Sequence, residues 1–368
     1  MRNLKKSLIA GAIGAALTLS ASSVMAGNND GGLTGKIVDA ANQQVISGAV
    51  VKVKNPKTGF TKTLTSDENG AYRLSSLPVG VYSITTTYNG YDEVVVGTVN
   101  VGIGSDTNVN ISMVSEDQTE VIEVTGSAVA MVDVSSSESA LNISAVELAR
   151  IPVPRDVTSV ALLAPGTTRA DSRFGGASFG GSSAAENTMY INGLNVTNFR
   201  NGLGFSNVPY EFYDQFQVKT GGYSAEFGRS TGGVINAVTK SGSNEFEFGA
   251  SAYYQPKALR ETSPSVRAND GSWYTYREND ERSDLNVNVH ASGAIIEDTL
   301  FFYAIYNPRD VKGEYDRIPS DGNLTKEKQD NAFWGAKIDW NITEDHRLEY
   351  LAFSDENELT TDIFTGNE

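Results

Sequence analysis

Few side chains in this sequence are spaced for chemistry. Gly176-Ala-Ser178-Phe-Gly180 has the form of a G-x-S-x-G nucleophile elbow. An elbow works by carrying its serine on a sharp turn between a strand and a helix. Here the flanks are Arg-Phe-Gly and Gly-Ser-Ser-Ala-Ala, loop-forming on both sides, which argues against a serine hydrolase at Ser178. His290 and His346 are the only histidines and there is no cysteine, so little is left for acid–base catalysis, zinc or disulfides. Asp67, Asn69 and Gly70 begin a calcium-loop spacing, but its terminal glutamate is missing and a plain turn is the better reading. No glycine-rich phosphate loop or dinucleotide fingerprint is present. The sequence therefore predicts no catalytic residue, no metal site and no cofactor. Glu226 and Arg229, three apart around Gly228, leave two possibilities open. They form a buried ion pair, or both are exposed and solvated.

A formal charge of −16 disfavours nucleic acid, whose phosphates need a basic face. Arg2, Lys5 and Lys6, the apolar run Leu8 to Leu19 and Val24-Met25-Ala26 form a secretory signal peptide over residues 1–26. No later stretch is apolar enough for a transmembrane helix, so entry into a membrane would have to be as a barrel.

Within 27–114, short β-prone runs at 35–38, 49–53, 62–65, 71–74, 81–85 and 109–113 alternate with turn signals such as Asp67-Glu-Asn-Gly70 and Asn89-Gly90. Such spacing predicts a small antiparallel sandwich. Residues 115–143 are polar linker around one strand-capable run, Glu120-Val121-Ile122-Glu123-Val124-Thr125-Gly126. That run is either one more sandwich strand or a peptide offered to another protein's sheet edge. In 144–243, Ser144 and Glu147 make a capping box that starts a short helix. A second helix is expected over 156–164, then a glycine and serine loop at 174–183 and strands at 189–196 and 234–238.

From 244 to 368 the pattern changes. Strands are expected at 245–254, 284–294, 299–307, 332–342 and 346–353, each with an apolar and a polar face. Leu285, Val287, Val289 and Ala291 alternate with Asn286, Asn288 and His290. Trp334, Ala336, Ile338 and Trp340 alternate with Gly335, Lys337 and Asp339. Short connections at 296–299 and 343–346 alternate with long charged ones at 255–283 and 308–331, the arrangement of outer-membrane barrels. Tyr253, Tyr254, Trp334, Trp340 and Tyr350 would suit an aromatic girdle. Five strands do not close a barrel, so an incomplete one is expected.

Two resemblances sharpen this reading. Gly-x-Val-x-Asp, Ser-Gly-Ala-x-Val, Ser-Asp-x-x-Gly-x-Tyr and Leu-Pro-x-Gly-x-Tyr, in that order, resemble the carboxypeptidase regulatory-like domain, a transthyretin-like sandwich without catalysis. Pro165-Gly166, Tyr190-Ile-Asn-Gly193, Pro209-Tyr-Glu-Phe and the glycine-rich run Thr220 to Asn244 resemble the plug-to-barrel region of TonB-dependent receptors, most closely the Oar-like branch. One departure is Asn192, where that branch often has aspartate. The resemblance implies a mainly β chain with an N-terminal sandwich, an α+β plug and the first strands of a transmembrane barrel. It further implies uptake or reception of an unidentified ligand in the outer membrane of a Gram-negative bacterium, with the sandwich in the periplasm. Residues 120–126 would pair with TonB and its inner-membrane energising complex, Glu226 and Arg229 would fix the plug, and lipid would surround the barrel. The alternative is a secreted or surface adhesion protein whose sandwich is the working part.

Overall fold

Alternating Val, Ile and Tyr build the first unit, because β-branched and aromatic side chains suit a pleated surface with one buried face. A computed structural model describes residues 29–116, 138–171, 175–262, 264–278, 280–316, 324–329, 332–356 and 358–364. The signal segment 1–26 and the coupling run 120–126 lie outside the described residues. The first unit contains β1 (Gly31–Asp39), β2 (Val50–Lys54), β3 (Thr61–Thr65), β4 (Ala71–Leu77), β5 (Gly80–Thr87), β6 (Val94–Val101), β7 (Asp106–Asn108) and β8 (Ile111–Met113). β4, β1, β7 and β8 form one sheet, and β3-β2-β5-β6 form the other. Leu33, Ile37, Val51, Val53, Tyr82, Ile84 and Ile111 fill the space between them. Fully burying each such side chain contributes about 1.5–3 kcal/mol. Tyr72 is buried too, its hydroxyl donating to the Val109 carbonyl at 2.6 Å, and burial raises its pKa. β6 lies where the sequence predicts no strand. Gly97 and Thr98 interrupt its alternation, and Thr98 has φ 56° beside a shift in register against β5.

The central unit runs through β9 (Ser139–Ser144), α1 (Ala145–Leu148), α2 (Val157–Ala161), β10 (Thr167–Arg169), β11 (Ala177–Phe179), β12 (Thr188–Ile191), β13 (Leu194–Asn195), β14 (Tyr213–Gly221) and β15 (Val234–Thr239). The capping box at α1 is formed: Ser144 Oγ accepts from the Glu147 N–H and the Glu147 carboxylate accepts from the Ser144 N–H. Asp156 caps α2. The main sheet has the order β13-β12-β15-β14-β9, with β12 parallel to β15 and the other pairs antiparallel. All six residues of β15 are buried, Asn236 and Thr239 among them, as befits a central strand covered on both faces.

Two expectations about this unit need correction. The glycine and serine segment is not all loop, since Ala177–Phe179 is a buried strand paired with β10. The run 189–196 is not one strand but a two-residue hairpin. Asn192 (φ 46°) and Gly193 (φ 79°) turn the chain, a left-handed pair that Asn-Gly adopts readily.

The last unit comprises β16 (Glu247–Gln255), β17 (Val266–Arg267), β18 (Trp273–Thr275), β19 (Glu281–Ile296), β20 (Leu300–Asn307), β21 (Arg309–Asp316), β22 (Leu324–Gln329), β23 (Phe333–Asn341), β24 (Arg347–Ser354) and β25 (Leu359–Phe364). Apart from a bulge between Ala294 and Ile296, β20 and β21 pair with β19 in one continuous register; β23 with β20 and β22 with β21 share one register, as do β24 with β23 and β25 with β22. The eight segments of this antiparallel sheet are therefore five long strands: β16, β19, β20 with β21, β22 with β23, and β24 with β25. Most of the expected loop 308–331 is strand extension. Pro308, without an N–H, interrupts the ladder without shifting it. The expected loop 255–283 contains the β17–β18 hairpin.

Candidate functional site

The two faces of the five-stranded sheet differ in chemistry. One face carries Phe248, Ala250, Ala252, Tyr254, Leu285, Val287, Val289, Ala291, then Leu300, Phe302, Ala304 and Tyr306, then Trp334, Ala336, Ile338, Trp340, Leu348, Tyr350 and Ala352, without a charge among them. Phe248, Tyr254, Tyr306, Trp334, Trp340 and Tyr350 are exposed. On the same face the sequence turns charged at one level: Tyr306 gives way to Lys312 and Glu314, and Trp334 is preceded by Lys326 and Lys328. β23 spans nine residues, about 30 Å of strand, or about 23 Å of height at a tilt of about 40°. That is close to the ~25 Å apolar band of an outer-membrane barrel.

The opposite face holds the central unit. Phe212, Phe216, Met189, Ile191 and Ile235 share one buried apolar cluster with Tyr303, Ile305 and Phe333 of the sheet. The Phe212 ring lies 5.9 Å from Tyr303 and 5.7 Å from Phe333, centroid to centroid. A Cβ on Gly335 would come 2.8 Å from Phe212 Cζ, so the strand must carry glycine where that ring seats. The Tyr303 hydroxyl donates to the Glu211 carbonyl at 3.1 Å. Arg155 pairs with Glu211 at 2.8 Å and lies 3.9 Å from the Tyr253 ring centre. Tyr253 therefore faces the central unit and does not join the aromatic girdle, as its neighbour Tyr254 does.

A polar cluster completes the junction. Lys337 is buried, with Nζ 2.9 Å from Ser241 Oγ, 3.1 Å from Glu349 and 3.4 Å from Asp339. The side-chain amide of Asn192 donates to Thr239 Oγ1 at 2.9 Å and to the Glu349 carboxylate, while its oxygen accepts from the Thr239 N–H at 2.8 Å. At the far end of the sheet, Asn207 donates to Asp355 and its carbonyl accepts from Arg309. A cavity of about 230 Å³ lies beside it, lined by Arg155, Asp156, Gly176, Phe205, Asn207 and Ile235. Burial raises the pKa of Tyr210 to about 12, with Arg155 opposing. Burial also raises the Asp214 pKa and lowers that of Lys240, each partly offset by the other's charge.

The residues singled out from sequence fare differently. Glu226 and Arg229 are both exposed and form no ion pair with each other; Arg229 sits in the left-handed region at φ 68° and Glu226 donates its N–H to Ser224 Oγ at 3.4 Å. Their tight glycine turn stays at the surface of the described residues. Among those residues the contacts between plug and sheet are made by Asn192, Lys337, Glu349 and Arg155. For Lys337, Glu349 and Asn192 the signal was a charged or amide side chain on the polar face of an alternating strand, or at an Asn-Gly turn; Arg155, just before a helix, had none. Ser178 lies mid-strand with its hydroxyl donating to the Ser182 carbonyl at 2.7 Å, with neither histidine bonded to it. His290 stacks on Tyr303 on the inward face. Among the described residues no cluster of three or more acidic or histidine side chains could hold a metal.

Residues 32–114 match the carboxypeptidase regulatory-like domain family, and residues 130–234 match the TonB-dependent receptor plug domain family. The TonB-dependent transporter Oar of Myxococcus xanthus is 30% identical over 313 residues, covering 81% of this chain and 29% of that protein. The chain thus spans less than a third of that relative's length. Among solved structures, the siderophore receptor PirA from Acinetobacter baumannii aligns at 21% identity with a TM-score of 0.39, over 56% of this chain and 29% of that one. A ferric enterobactin receptor (PfeA) from Pseudomonas aeruginosa aligns at 17% identity with a TM-score of 0.40, over 58% of this chain and 32% of that one. That family is one of transporters and receptors, and its place is the outer membrane. The chain thus carries a carboxypeptidase regulatory-like domain followed by a TonB-dependent receptor plug domain, and over most of its own length it is similar to the TonB-dependent transporter Oar.

Proposed function

We propose that the chain serves active uptake or reception of a ligand at the outer membrane, energised through TonB. The observation that carries this reading is the charge-free outer face of the sheet, bounded by Tyr306 and Trp334 where it turns charged. A contiguous exposed apolar face of that size needs lipid against it. The plug fills the inward face, so passage of a ligand requires the plug to move. No residue has a catalytic role in this scheme.

The sandwich is periplasmic in this reading. Support comes from the end of the sheet it touches: Lys62 pairs with Asp345 at 2.9 Å in the short turn between β23 and β24, and short turns face the periplasm in such barrels. Residues 120–126, between sandwich and plug, would add a strand to TonB, with main-chain hydrogen bonds supplying affinity. Glu226 and Arg229, exposed on the plug, would be free to meet a barrel wall.

The test is a cysteine at Val124 in the receptor as expressed in its outer membrane. Cross-linking to co-expressed TonB is expected, with the receptor retained in carbonate-washed membranes. Release by carbonate would sink the membrane reading. Retention without cross-linking at 124 would move the coupling segment elsewhere.

A further inference from the structure

β14 has two unlike faces. Phe216 and Val218 point into the apolar core, while Gln215 and Gln217 lie on the other side. The polar side of such a sheet usually faces water, yet Gln217 is only 1% exposed. The sandwich covers it. The Ile103 N–H, in the turn between β6 and β7, donates to Gln215 Oε1 at 3.1 Å, and Gln217 Nε2 donates to the Ile103 carbonyl at 2.8 Å. Gly104 beside it has φ 58°, and a Cβ there would come 2.8 Å from Gln217 Oε1.

The remaining grips are polar as well. Asp30 pairs with Arg347 at 2.9 Å, Lys62 with Asp345 at 2.9 Å, and the Asn244 N–H donates to the Lys57 carbonyl at 2.8 Å. The apolar clusters of the sandwich and the plug share no residue, whereas plug and barrel share one cluster. Surfaces joined by polar contacts tolerate water when parted, and surfaces joined by an apolar core do not.

We infer that the N-terminal sandwich is a releasable latch on the plug. Docked, it holds β14 by the two glutamines and grips the short turns of the barrel. Released, it leaves two water-compatible faces and a plug held by the barrel alone. The sandwich's last strand ends at Met113 and the plug's first begins at Ser139, so a pull on the segment between them loads both. The receptor reading supplies the source of that pull; the latch itself needs only the contacts above.

The experiment has two parts, both on the receptor in lipid nanodiscs. In hydrogen exchange, Gln215→Ala/Gln217→Ala should speed exchange at the Ile103 amide at least tenfold while β2 and β5 keep their protection. In single-molecule pulling, the handle goes on Val124→Cys, and these 368 residues contain no other cysteine. The wild type should show a low-force step before plug rupture, absent in the double variant. Lys62→Glu, a surface change, should weaken that step at least twofold, and adding Asp345→Lys should restore it. Unchanged Ile103 exchange, or one trace for all variants, overturns the latch. A latch step in a receptor that never engages TonB would sink the receptor reading alone.

Discussion

Asn192 of the plug donates its side-chain amide to Glu349 of β24, joining the hairpin tip of one domain to the wall of the other. The same residue holds a left-handed backbone conformation that favours Asn and Gly. Asn192→Gly keeps the turn and removes the side-chain bonds, so a loss of about 1–2 kcal/mol is expected. Asn192→Ala adds roughly 1–2 kcal/mol of backbone strain. Urea unfolding followed in the plug should rank the two in that order.

Lys337 is the buried cation shared by Asp339 and Glu349 on the inward face of the sheet. Lys337→Met keeps its bulk but strands two carboxylates, and a cost of about 3–5 kcal/mol is expected. Thermal unfolding in detergent measures it. A Lys337→Met/Glu349→Gln double variant should recover part of the loss.

Gly335 gives Phe212 its seat. Gly335→Val puts a branched side chain into that ring, at an expected cost of about 1–3 kcal/mol from overpacking. Adding Phe212→Leu should relieve it, which a double-mutant cycle would read as a favourable coupling between the two sites.

Ile338 faces outward midway along β23. In lipid, Ile338→Arg should cost about 2–4 kcal/mol. On a water-exposed sheet the same change would be near neutral. Refolding into vesicles against refolding in a non-ionic polymer belt of low apolar thickness separates the two.

Asp345 has its carboxyl pKa held below the usual 3.8, first by the hydrogen bond from Lys62 and then by that ammonium's charge. A depressed folded pKa means the contact is fully present above pH 3.8 and is lost as pH falls through the lower folded value. Fluorescence transfer between sandwich and barrel should therefore show wild type docked more tightly than Asp345→Asn at pH 7. The difference should vanish in strong acid.

The mainly β character and the handover from plug to barrel were legible because period-two alternation is written directly into 285–291 and 334–340. The capping box at Ser144 was equally plain, since it depends on two residues three apart. β6 was hidden by Gly97 and Thr98, and the hairpin at Asn192 by apolar residues on both sides of its turn. The extensions β21 and β22 were unreadable for another reason. Lys312, Glu314, Lys326 and Lys328 are what a loop contains, and only pairing in register makes them strand. The docking residues escaped because Asn192 and Glu349 are 157 positions apart. Glu226 and Arg229 do not pair with each other because closeness in sequence is not closeness in a turn.

The length of β19 has a consequence for what can reach the plug. Its 16 residues make a strand of about 54 Å, about 40 Å tall when tilted. In the receptor reading, a lipid band of ~25 Å would leave roughly 15 Å of this strand standing clear of the membrane. A molecule approaching Arg155 and Asn207 would then meet that wall first. Girth, before any chemical match, would be the first property on which such an entrance selects.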